Sequence, residues 1–161
     1  MATLSDITIQ LRRLKQTGFD QLLSQHAAAN GFEPSFFFAI ASRETNCVNE
    51  LGDVQSDGAH GVGIVQIDVQ HPIARQARDS GSWQNNPAPL VAYGAQLLAQ
   101  NIRQVQQALP ALSKDEQLKV AASGYNCNLN LAIAAAKNGQ DRCTHHRPQL
   151  RRRCRGAEGA V

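Results

Sequence analysis

Between Phe36 and Asp68 the chain changes its periodicity once, and that change limits the fold it can adopt. Pro34, at a first helical position, leads into Phe36-Phe37-Phe38-Ala39-Ile40-Ala41, a run apolar on almost every side that predicts a buried helix. The helix closes in Ser42, Arg43 and Glu44. Gly and Asp then take over at Gly52, Asp53, Asp57, Gly58, Gly61 and Gly63, followed by the alternating run Val62, Ile64, Val65, Gln66, Ile67, Asp68. This second half predicts turns leading into a short strand or hairpin. A chain with helical patterns on both sides of such a stretch is mainly α, in the α+β class. At 161 residues it is long enough for one core.

The same stretch concentrates the chemistry. Glu44 stands at the end of an apolar helix, where burial disfavours the ionised form and suits a carboxylic acid to donate a proton near neutral pH. Asp57 and Asp68 lie on two later segments that face Glu44 if the hairpin borders a cleft. A proton donor on one side of a bond and a water-activating carboxylate on the other, ~6.5 to 9.5 Å apart, is the arrangement of inverting glycoside hydrolysis. On their own, the aspartates read equally as turn, capping or ion-binding residues, and the glycines as turn formers.

Four segments in this order, SRET (42–45), SDGAHGVGIVQID (56–68), SKDEQLK (113–119) and SGYN (123–126), resemble goose-type lysozymes and the related lytic transglycosylases. The resemblance runs from about Phe19 to Thr144 and has no gap across the central acids. It implies a lysozyme-like helical domain with a small β-hairpin beside the cleft, cleaving the glycan strands of peptidoglycan. In that family a Ser-Arg-Glu-Ser segment carries the catalytic acid, matched by Glu44. A Gly-Asp segment and a Gly-Leu-Met-Gln-Val-Asp segment carry carboxylates, matched by Asp57 and Asp68. Gln66 falls in the last of these motifs and is a candidate to offer its amide to a sugar N-acetyl group. The family's Ala-Tyr-Asn-Ala-Gly motif is matched at Tyr125 and Asn126, candidates to hold Glu44 or the glycan. Here Gly124 precedes the tyrosine, and Cys127 and Asn128 follow the asparagine.

The flanking segments read as scaffold. Residues 4–26 predict one amphipathic helix or two, broken near Gly18, with Leu11 and Leu14 on the packing face and a stop at Asn30 and Gly31. His71 and Pro72 open a short helix, and Asp79 to Asn86 is a polar loop. Its tryptophan, Trp83, reads as a packing residue before a sugar-stacking platform. Pro87 to Leu109 is a long helix, apolar at Leu90, Tyr93, Leu97, Leu98, Ile102 and Val105, with Gly94 predicting close contact with another helix. Ser113 to Glu116 is a capping-box start for the next helix, and Leu129 to Lys137 predicts a last short one.

Charge divides the chain at its end. Of sixteen basic side chains six lie between Arg142 and Arg155, so residues 1–141, with ten basic and twelve acidic groups, are slightly acidic although the whole carries +3. Residues 1–143 are therefore expected to form the catalytic domain and 144–161 a basic, disordered tail. Codons for His145 to Glu158 can be chosen so that reading one base later gives T-T-G-R-N-Y-A-D-D-V-V-A-R, close to the family's terminal helix; the tail thus admits a frameshift origin. A nucleic-acid role rests on the tail arginines alone and is discounted. Cys47, Cys127, Cys143 and Cys154 form no C-x-x-C pair and read as buried or surface thiols, with Cys127–Cys143 the pairing open in an oxidising compartment. No run approaches a membrane span, and MATLSDITIQLRRLKQ has no signal-peptide pattern. A longer precursor or an unconventional route to the cell wall is the expectation.

These observations favour a monomeric muramidase acting on peptidoglycan by inverting hydrolysis of the MurNAc–GlcNAc β-1,4 bond, with no metal and no organic cofactor. The alternatives are a lytic transglycosylase and a glycan-binding domain that has lost turnover.

Overall fold

The computed structural model describes residues 3–139, and within them eight helices and a small antiparallel sheet. The order is α1 (Leu4–Thr17), α2 (Phe19–Ala29), α3 (Pro34–Thr45), β1 (Leu51–Gln55), β2 (Gly58–Val62), β3 (Ile67–Asp68), α4 (Pro72–Ser80), α5 (Ser82–Asn85), α6 (Ala88–Ala108), α7 (Lys114–Asn126) and α8 (Leu129–Lys137). The strands pair in sequence order, and this is the expected α+β class with its hairpin. The residues gather into two compact units that divide within α6, after Gln100. The basic segment 144–161 lies outside the described residues, as do Cys143 and any pairing it makes with Cys127.

The first unit is built on helix boundaries the sequence announces. Thr3 and Asp6 form a reciprocal capping box at the start of α1, and Gly18, at φ 75, separates α1 from α2. Pro34 opens α3 as expected. The core collects Leu14, Leu23, Phe37, Val62, Ile64, Val65, Ile67, Leu90, Val91 and Leu98, all essentially without solvent contact. Phe32 meets Phe36 and Phe37 edge-on at 6.3 and 5.7 Å, the geometry aromatic quadrupoles favour. Helix α4 packs on β2 and β3, and α2 packs on both α1 and α3.

Four local expectations change. Leu11 is 42% exposed, its helix mates Leu4 and Ile7 are exposed too, and Gln10 is buried in their stead. The reason is polar: Gln10 bridges two residues of the α3 terminus, described below. Residues 82–85 close one helical turn instead of continuing the polar loop, and Trp83 within it is half-buried, its carbonyl accepting a bond from Asn49 Nδ2 at 2.9 Å. Strand β1 appears where only turns were expected. Residues 63–66, which alternate like a strand, form a turn with Gly63 and Gln66 at positive φ.

The second unit has its own small core. Val105, Leu109 and Ala121 are buried together, with Ile102, Leu112, Val120, Leu129 and Ile133 packed around them. The expected capping box is present: Ser113 Oγ accepts from Glu116 N, and Ser113 N donates to Glu116 Oε2 at 2.9 Å. At the other end of α7, Gly124 lies against the start of α8, where an added Cβ would stand 3.1 Å from Leu129 Cα and 3.2 Å from Leu129 Cβ. Gly94, on α6, is buried.

Gly124→Ala separates propensity from packing. Alanine favours a helix by about 1 kcal/mol over glycine, yet the new methyl presses on the α8 backbone, and overpacking costs typically about 1–3 kcal/mol. Thermal and urea unfolding should show net destabilisation, and a rise in Tm would refute the close α7–α8 approach.

Candidate active site

Helix α3 turns one stripe inward. Phe37, Ile40, Ala41 and Thr45 are buried, and Glu44 stands on the same side at the i+3 and i+4 positions from Ala41 and Ile40. The glutamate is half-buried, with Oε1 out of solvent contact. Thr45, next to it, fixes where that end of the helix goes, because its hydroxyl lies 2.9 Å from Ile64 O and 3.1 Å from Ala41 O. The helix terminus is thereby bonded to the turn that follows β2.

Behind Glu44 the backbone is strained and held. Asn46 and Cys47 both adopt left-handed conformations, φ 53 and 60. Asparagine tolerates this region and cysteine does so less readily, at a cost of roughly 1–3 kcal/mol for a non-glycine residue. Arg13 Nη1 donates to Asn46 O at 2.7 Å, Gln10 Nε2 donates to Asn46 Oδ1 at 3.3 Å, and Ser42 Oγ donates to Gln10 Oε1 at 2.6 Å. Two residues of α1 thus anchor the end of the Glu44 helix. Cys47 is free and buried, and burial pushes its thiol up to about 11, so it packs as a neutral group.

The sheet arranges the other carboxylates. Register places Gly52, Gly61 and Asp68 in one row across the three strands. Gln66, in the turn between β2 and β3, lays its side chain over this row. Its Nε2 donates to Glu50 O at 3.0 Å and Gly63 O at 2.8 Å. A methyl at Gly52 or Gly61 would overlap the Gln66 amide oxygen, so these glycines make room for a side chain of the protein itself. Both hydrogens of the Gln66 amide are committed to backbone, which leaves Oε1 as the atom outside these bonds.

Asp68 is half-buried on β3, and its Oδ1 accepts from Gln70 N at 2.8 Å in a local turn. Three residues on, His71 donates its backbone N–H to Asp68 O and places Nδ1 2.9 Å from the Tyr93 hydroxyl. Asp57 sits at the exposed β1–β2 tip, its Oδ1 2.8 Å from His60 Nε2. That bond from His60 is the main reason its carboxyl titrates below the ordinary range, with the Arg78 charge a smaller influence in the same direction. Four residues separate Asp57 from Gly61, the partner of Asp68, so the two aspartates occupy opposite ends of the sheet, ~13 Å apart along the strand.

Glu44, Gln66, Asp57 and Asp68 therefore belong to one unit. Tyr125 and Asn126 belong to the other, half-buried on the last turn of α7, where Asn126 Nδ2 bonds back to Ala122 O at 3.2 Å. Sequence reading passed over two histidine contacts. The His60–Asp57 pair was visible as an i, i+3 spacing, whereas the His71–Tyr93 pair spans 22 residues and left no local signal. Among the described residues no three His, Cys, Asp or Glu side chains gather to hold a metal ion, and no helix is long and apolar enough to cross a membrane.

Comparison with known proteins adds an independent finding. The family model for lysozyme g matches residues 9–147. A lysozyme g of Casuarius casuarius is 30% identical over 94 residues, covering 58% of this chain and 47% of that protein. A lysozyme g of Gallus gallus is 27% identical over 108 residues, 67% of this chain and 48% of the relative. A lysozyme g of Struthio camelus is 29% identical over 94 residues, 58% and 43%. The chain spans about half the length of the curated relatives it matches.

The Thr45 hydroxyl makes a checkable contribution. Thr45→Val preserves shape but leaves the buried Ile64 carbonyl without its donor, so denaturant unfolding should show a loss of about 1–3 kcal/mol. Thr45→Ser keeps the hydroxyl and should lose clearly less. Equal losses would show that the methyl, not the bond, holds the α3 terminus.

Proposed function

This chain is a member of the lysozyme g family, and from that premise we propose that it is a muramidase, cleaving the MurNAc–GlcNAc β-1,4 bond of peptidoglycan as a monomer. Glu44 is the general acid that protonates the glycosidic oxygen. Asp57 holds and orients the water on the opposite face of the sugar, Asp68, at the other end of the sheet, contributes a second negative charge, and the product inverts at the anomeric carbon. Gln66 Oε1 accepts from an N-acetyl N–H.

The observation that most supports this reading is the setting of Glu44. Its Oε1 is withdrawn from water at the end of a buried stripe, and the next residue is bonded to the turn that leads into Asp68. Withdrawal from water penalises a carboxylate more than a carboxylic acid, which favours the proton-carrying form that the first step consumes. Asp57 stands in wetter surroundings, where the bond from His60 favours its ionised form. Presence of both aspartates favours hydrolysis over transglycosylation, in which the sugar's own hydroxyl attacks and no base for water is needed.

Purified protein should clear a peptidoglycan suspension. Glu44→Gln should reduce clearing by roughly 10²–10⁴-fold, the range of a lost general acid, while pelleting with peptidoglycan as well as the wild type. Undiminished clearing by Glu44→Gln would remove the glutamate from its role. Mass spectrometry of the products discriminates the chemistry, since reducing ends accompany hydrolysis and anhydro-sugar ends would replace it with transglycosylation.

A further inference from the structure

The β1–β2 hairpin contains a side chain with no part in the steps above. His60 lies on β2, half-buried at 29% exposure, and contacts the 69% exposed Asp57 through the 2.8 Å Nε2···Oδ1 bond. Its backbone serves the other aspartate segment, because His60 O accepts from Val69 N at 2.9 Å, one residue past Asp68. A single residue therefore joins the hairpin tip to the strand end. The surrounding charges are Arg78 of α4, which donates to Ala59 O at 3.0 Å and to Asp79 Oδ1 at 2.8 Å, Arg75 of α4, which donates to Val69 O at 3.2 Å, and Asp53, opposite His60 in the β1 register.

We propose that His60 is a positioning residue for Asp57: its imidazole fixes one carboxylate oxygen and leaves the other as the acceptor for the attacking water. This rests on the muramidase reading above. An unsupported aspartate on an exposed two-residue turn would sample several rotamers, and a base must stay within hydrogen-bond reach of its water. The Nε2 hydrogen is present both in the imidazolium and in the neutral tautomer protonated at Nε2, so His60 donates on either side of its own titration. Protonation of the ring adds charge assistance to the same bond without moving it.

The pH behaviour follows in sign. Asp57 titrates below its ordinary range chiefly because of His60. The stabilisation from this bond is complete above the ordinary carboxylate pKa and disappears as pH falls through the depressed one. Asp57 thus remains ionised in acid that would protonate a carboxylate without such a donor.

The test combines a titration with kinetics. In His60→Ala, carbon NMR of the Asp57 carboxyl should show its titration moving up towards the ordinary value. The acidic limb of kcat should move up in pH with it, and kcat near pH 7 should fall roughly 10- to 100-fold, with KM changed less than about twofold. His60→Gln, which keeps an N–H donor, should recover most of kcat. An Asp57 titration and acidic limb that superimpose on the wild type would overturn the inference. Asp57→Asn separates the two readings: if it abolishes clearing while His60→Ala leaves the acidic limb in place, only the role of His60 falls. If Asp57→Asn clears peptidoglycan fully, the assignment of Asp57 falls and that of His60 with it.

Discussion

The bond from the Thr45 hydroxyl to the Ile64 carbonyl is the constraint on which the candidate site depends. A helix end is a weak place to mount a reactive side chain, because its last carbonyls lack intrahelical partners and its final turn frays. In this protein α3 cannot fray freely. Its terminus is bonded forward to the turn after β2 and backward, through Asn46, to Gln10 and Arg13 of α1. The two left-handed residues that follow Thr45 store strain that these bonds hold in place. The cost of a buried glutamine in α1, and of leaving Leu4, Ile7 and Leu11 in water, becomes intelligible in that light. Gln10 occupies the inward position because its amide completes the polar network, and the hydrophobic residues of that helix take what is left.

A second economy of the fold is the use of a side chain to fill the space that two glycines leave. Glycines at 52 and 61 read from the sequence as turn formers. The structure fills that space with the Gln66 amide, which ties Glu50 and Gly63 together across the strand ends. The glycines then have a definite cause: the row they share with Asp68 lies beneath a glutamine that no Cβ there could tolerate. Loss of Gln66 would loosen the turn that leads into Asp68 as well as remove an amide.

What could be read from the sequence follows the range of the forces involved. Helices α3, α7 and α8 were legible almost to the residue, because a proline at N1, a Ser113–Glu116 capping box and an Asn138 stop act within one turn of the chain. The order of Glu44, Asp57 and Asp68 was legible for the same reason, since motif and spacing are local. Strand β1 was not: Leu51–Gln55 has little β propensity, and its strand state comes from pairing with β2. The alternation of residues 62–68 suggested a continuous strand, but positive φ at Gly63 and Gln66 folds its middle into a turn. Inward Gln10 and outward Leu11 were equally hidden, because the partners that decide them lie more than thirty residues away.

The carboxyl groups finally differ by environment more than by residue type, and this bears on how labour divides between them. Glu44 has an oxygen in a dry setting, whereas Asp57 stands in water with an imidazole beside it and Arg78 near enough to favour its charge. A donor bond lowers the cost of a negative charge, and the bond from His60 does this for Asp57. A depressed pKa also makes Asp57 a weaker base, which suits it to orienting water and opposing developing positive charge. Asp68, half-buried and bonded to the Gln70 N–H, is closer along the chain to the turn that Thr45 holds.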